Sequence, residues 1–149
     1  MYSNASWLKK FLPPCETFLI SMGSIVSTEK SIEKRLRVIN RRSGQVLTTH
    51  AGIANTSELR RRGLLRHDSL EPGDGLWIAP SEAVHCFGMK FAIDVLFLNK
   101  QKKILKIRPN MPKNRISFCL TASSVLELPA GTVAATGTLV GDELEFEKV

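Results

Sequence analysis

Apolar residues recur at every second position in short runs along the chain, and each run is stopped by Gly, Pro, Asn or Asp, the pattern of half-buried strands joined by turns. Leu36 and Val38, then Val46 and Thr48, alternate with polar neighbours around turn residues 40–44 and predict a hairpin ending near Ala51 and Gly52. Residues 76–79 predict a strand between the turn at Pro72, Gly73, Asp74 and Gly75 and the stop at Pro80 and Ser81. Val95, Leu96, Phe97 and Leu98 are apolar without alternation, which predicts a central strand buried on both sides. After a turn at 100–102, Ile104, Leu105 and Ile107 return as its hairpin partner, and Pro109 and Pro112 bracket a loop. Val125, Leu126 and Leu128 predict another strand, and a last one at 143–147 alternates Leu144 and Phe146 with acids.

Helical signals are few. Asn55 followed three residues later by Glu58 is a capping-box variant, predicting a short helix over 56–65 with Leu59, Leu64 and Leu65 on its apolar face. Arg60, Arg61 and Arg62 of that helix are expected to point to water with their stems along the surface. Residues 130–136 predict one or two turns closed by Gly137. The sum is a mostly β (α+β) fold, a compact antiparallel β-barrel or rolled sheet with one or two short capping helices. Residues 1–33 lack a clear period and are expected to form a flexible arm, leaving 34–149 as a single β domain.

At 149 residues and 43% hydrophobic composition, the chain suffices to bury a continuous core around one sheet or barrel, and no second independent domain is expected. No apolar stretch approaches the ~20 residues of a membrane-spanning helix. Cys15, Cys86 and Cys119 are an odd number without a CxxC pair, which points away from a disulfide framework and a zinc ribbon and toward a reducing cytoplasm. The alternative, a secreted or membrane-tethered protein, would need residues 1–30 to act as a leader, and Pro13, Pro14 and Glu16 break its apolar core.

Charge changes the picture more. The net charge is +7, and residues 29–66 carry ten basic side chains against three acidic, while 100–115 carry seven against none. After Val125 the sign reverses: Glu127, Asp142, Glu143, Glu145 and Glu147 stand against Lys148 alone. The asymmetry permits an acidic partner, nucleic acid included, and on charge alone fits a solvated basic face better.

Several segments then fall into a recognisable order: Arg60-Arg61-Arg62-Gly63-Leu64-Leu65, Leu76-Trp77-Ile78-Ala79-Pro80, His85-Cys86-Phe87-Gly88-Met89-Lys90-Phe91-Ala92-Ile93-Asp94, and Leu126-Glu127-Leu128-Pro129-Ala130-Gly131, closed by Gly141-Asp142. This series resembles the domain of unknown function 192 family over residues 36–146. The resemblance implies a compact β-barrel-like fold with minor helices and implies no particular activity. His67, Cys86, Asn99 and Lys102 depart from the family's usual residues, and Lys102 in place of a glycine suggests a turn that avoids positive φ there.

Asp94 is the oddity of the apolar strand, since a carboxylate there must be paired, hydrogen-bonded or protonated. Its expected partners are the backbone N–H groups of the turn at 87–89, Lys90, or an arginine of the helix. His85 and Cys86 are adjacent, so on a strand they leave opposite faces and cannot share one site; Cys86 reads as a small core residue. His50, His67 and His85 show no ligand spacing with the cysteines, so neither a metal nor a cofactor is expected. Glu127 should face away from Leu126 and Leu128, toward solvent or the rim of the same polar patch.

No catalytic set is assigned. The function expected is a non-enzymatic, monomeric module that binds a small ligand or a protein through His85, Lys90 and Asp94, with Arg60, Arg62 and Glu127 beside them. One alternative is a hydrolase using His85 and Asp94 as an acid–base pair. Another is non-specific nucleic-acid binding, which requires Arg60, Arg62, Lys103 and Arg115 on one surface.

Overall fold

The computed structural model describes residues 35–149, and the arm expected over 1–33 lies outside the described residues. In chain order the elements are β1 (Leu36–Asn40), β2 (Val46–Ala54), α1 (Ser57–Arg62), β3 (Asp74–Ile78), β4 (Ala83–His85), β5 (Ile93–Leu98), β6 (Ile104–Met111), β7 (Ile116–Phe118), β8 (Ser124–Pro129), α2 (Thr132–Thr136) and β9 (Leu144–Lys148). Seven strands form one sheet in the order β6-β5-β8-β3-β2-β1-β9, and β4 and β7 form a separate two-stranded ribbon. Pairing is antiparallel except between β2 and β3, which run parallel because α1 lies on the connection between them.

The sheet curls until its edges meet at one end. Lys103 of the β5–β6 turn bridges Glu143, the Ile104 amide donates to the Asp142 carbonyl at 2.9 Å, and the Leu144 amide donates to that of Lys102 at 3.0 Å. The result is a half-barrel. Its interior holds Leu36, Val38, Leu47, Leu96, Leu98, Ile104, Leu126, Leu128 and Leu144, drawn from both edges of the sheet, and Val133 of α2 closes it. The outer face is also apolar: Leu76, Ile78, Val95, Phe97 and Val125 are covered by Leu64 beyond α1 and by Val84, Cys86 and Met89 around the ribbon. Burial of every residue of β5 follows from this double covering.

The predicted mostly β roll with two short helices is the fold observed. Several elements differ in detail. Asn55 is not the cap of α1: Thr56 accepts from the Leu59 amide at 3.2 Å, and Gly63 at φ 44° ends the helix before Leu64 and Leu65. β6 runs through Pro109 to Met111 where a loop was expected, which an edge strand tolerates because its outer N–H groups need no partner. Lys102 does adopt positive φ, 63°, correcting the expectation drawn from its side chain.

The charge asymmetry has an internal explanation. The antiparallel register of β1 and β9 sets Arg37 opposite Glu147, with Nη1 and Oε2 3.3 Å apart, while Arg41 reaches Glu143 and Glu145 at 3.9 and 3.6 Å. Arg42 donates to both carboxylate oxygens of Asp142, at 2.6 and 3.0 Å. The acidic C-terminal run thus neutralises Arg37, Arg41 and Arg42 of the first basic run, and the arginines of α1 are left outside that exchange.

Candidate functional site

Between α1 and β4 lies a cleft of about 390 Å³. Arg60, Arg61 and Arg62 form one wall, Ala83, Val84 and His85 the other, and Ile78 and Glu127 contribute from the sheet beneath. The arginines are there because α1 is short and sits on the outer core by Leu59 and the following Leu64, which directs successive polar positions toward the cleft and the solvent. Arg60 is held by the Asn55 carbonyl at 3.0 Å and the Ser57 hydroxyl at 3.3 Å, and Arg61 Nε donates to the Ser57 carbonyl at 3.3 Å. Arg62 is half-buried and makes no ion pair or side-chain hydrogen bond among the described residues.

Glu127 is the second anomaly of the cleft. It is 4% exposed, and its Oε2 has no hydrogen-bond partner among the described residues. Burial pushes its carboxyl up to about 7, so near neutrality it is held in both forms. Beside it Cys86 is fully buried, and desolvation together with the Glu127 charge pushes its thiol up to about 11, which leaves no thiolate for nucleophilic work. His85 is exposed at the rim and stacks on Phe87, ring centroids 5.7 Å apart.

The structure gathers four of the six sequence-predicted residues, His85, Arg60, Arg62 and Glu127, and separates the other two. Lys90 is exposed and pairs with Asp68 at the surface, outside the cleft. Asp94 projects into the half-barrel, 0% exposed, where it accepts from the Asn110 and Val133 amides, each at 2.8 Å. None of its expected partners, the turn at 87–89, Lys90 and the helix arginines, supplies these bonds. Since His85 is on the outer ribbon and Asp94 points inside, the sheet stands between them and no His85–Asp94 acid–base pair forms. Glu127 does face away from Leu126 and Leu128, but into the second, outer core and the cleft floor in place of solvent.

Sequence reasoning missed the cleft's other wall. β4 is three residues long and its partner β7 lies far along the chain, so neither carries a hydrophobic period by which to be found.

The fold and cleft define a small half-barrel β domain with a cationic, carboxyl-floored groove on its outer face. The chain belongs to the domain of unknown function 192 family, DUF192, whose model is described as "Uncharacterized ACR" and matches residues 38–146. It is similar to a UPF0127 protein of Thermococcus sibiricus, 29% identical over 115 residues that cover 74% of each chain. Among solved structures it is similar to a Sinorhizobium meliloti protein provisionally named a transcription regulator, with TM-score 0.67 and 26% identity over 76% of this chain and 92% of that one. A Novosphingobium aromaticivorans protein of unknown function matches with TM-score 0.65 and 21% identity over 74% and 83% of the two chains, a likeness of fold alone. No helix among the described residues is long and apolar enough to cross a membrane.

Proposed function

We propose that this domain is a non-enzymatic binding module whose site is the α1–β4 cleft and whose ligand carries an anionic group. The observation that carries the reading is the pairing of a buried Glu127 oxygen without a hydrogen-bond partner with an arginine wall in one cleft. A buried polar atom left unpaired costs on the order of 1–3 kcal/mol, which a ligand hydroxyl or amide donating to Glu127 would recover. Arg62, without a side-chain partner among the described residues, supplies the planar donor pair that a carboxylate or phosphate accepts.

Nucleic-acid binding draws less support. The name of the Sinorhizobium relative points toward transcription. Yet Lys103 sits at the β6–β9 seam beside Glu143, Arg115 precedes β7, and of these four basic residues only Arg60 and Arg62 line the cleft.

The test is titration of the full chain with glutarate, followed by amide NMR shifts and calorimetry. Saturable shifts at residues 60–65 and 83–85 are expected, weakened about tenfold by Arg62→Ala, the factor that one charge-assisted hydrogen bond supplies. Unchanged spectra up to millimolar glutarate and millimolar 3-hydroxyglutarate, which adds the hydroxyl donor for Glu127, would remove the reading.

A further inference from the structure

We infer that the ligand of this cleft is an extended peptide segment with acidic side chains, added as a strand along the free edge of β4; the inference rests on the binding function proposed for the same cleft. Among the described residues β4 pairs with β7 alone, in the register Ala83 with Phe118, Val84 with Ser117 and His85 with Ile116. The Cys119 amide donates to the Glu82 carbonyl, and the Cys86 amide to that of Arg115, both at 2.8 Å. Even-numbered residues therefore turn their backbone groups to β7, and by the alternation of an antiparallel pair Ala83 and His85 turn theirs the other way, into the cleft. The Ala83 carbonyl accepts from the Ser81 hydroxyl at 2.9 Å. The Ala83 amide and both backbone groups of His85 have no partner among the described residues. They are the row of donors and acceptors on which a further strand assembles.

The rest of the cleft selects what that strand carries. Arg60, Arg61 and Arg62 face β4 across the groove with no acid among the lining residues except Glu127. A strand with alternate acidic residues meets this wall, and its intervening side chains point to the floor, where a hydroxyl reaches the Glu127 oxygen that lacks a partner. β4 is three residues long, so at ~3.3 Å per residue the paired length is ~10 Å.

The probe is a capped six-residue peptide alternating glutamate and threonine, added to the full chain. Two further versions are N-methylated at alternate residues, one in each phase, with charge and side chains unchanged. The unmodified peptide is expected to slow hydrogen exchange of the Ala83 and His85 amides. One methylated phase should bind like the parent and the other at least about fivefold more weakly, the factor that the one net hydrogen bond to the His85 carbonyl supplies. Equal binding by all three versions, or binding of glutarate but of no peptide, would overturn strand addition and leave the anion site standing. Failure of peptide, glutarate and 3-hydroxyglutarate alike would remove both readings.

Discussion

Asp94 and Glu127 occupy adjacent hydrogen-bonded strands yet face opposite sides of the sheet, because the β5–β8 register sets Asp94 against Leu128 and Val95 against Glu127. Both carboxyls are almost wholly buried, and their fates differ. Asp94 receives two backbone amides at 2.8 Å and serves as a pin joining β6 and α2 to the sheet. Glu127 lines the cleft and has a buried oxygen with no partner among the described residues. The first arrangement is that of a structural residue, and the second is the one on which the proposed binding function rests.

If Asp94 is such a pin, Asp94→Asn should destabilise the fold by about 2–3 kcal/mol, since the amide's single oxygen leaves one of the two buried N–H groups without an acceptor. Urea unfolding measures the loss. Glutarate affinity at the cleft should not move, because the sheet separates the two sites, and a matching loss of affinity would contradict the assignment.

Glu127 predicts a pH dependence of known sign. Its folded pKa of about 7 exceeds the ordinary 4.5, so the folded state holds the proton more tightly. The stability it contributes is complete below the unfolded value and is lost as pH rises through the folded one, a fall of roughly 3 kcal/mol between the two. Comparing Glu127→Gln with the parent across that window isolates this slope from the histidines. Parallel curves for the two proteins would mean that water or a neighbour already satisfies the carboxylate.

Asp142 predicts the opposite slope. Hydrogen bonds from Arg42, the Leu139 amide and Asn40 hold its carboxyl well below the usual range in spite of burial. The stability it supplies is present above the unfolded carboxyl value near 4 and drains away only under strongly acid conditions. Asp142→Ala should cost about 2–3 kcal/mol at neutral pH, the worth of charge-assisted bonds in a nearly buried site. Circular dichroism melts at pH 7 and pH 3 check it: the gap between variant and parent should narrow in acid.

These residues also mark what the sequence discloses and what it withholds. β5 and the β1–β2 hairpin were readable because apolar runs and turn residues are local signals. The alternation rule put Glu127 on the correct face, but whether that face meets water depends on the ribbon and α1, which cover it from distant parts of the chain. The same distance hides the donors to Asp94, which come from residues 110 and 133. The charge reversal toward the C-terminus reads as a docking signal until β9 is seen to lie antiparallel beside β1.

Lys102 stands at φ 63° where an L side chain is strained, and three contacts fix it there. Its amide donates to the Asn99 carbonyl at 3.1 Å, its carbonyl accepts from Leu144 across the barrel seam, and its ammonium lies 4.1 Å from the Trp77 ring centroid and 5.2 Å from that of Phe146. Burial pushes the amine pKa down, while the aromatic faces favour the cation. Lys102→Ala loses the aromatic contact and keeps the backbone strain. Lys102→Gly loses the same contact and relieves the strain, so it should be the more stable of the two by about 1 kcal/mol. Thermal melts of the pair isolate the backbone term, since neither variant retains the ammonium. Equal stability would mean that the turn relaxes out of the left-handed region once the side chain is gone.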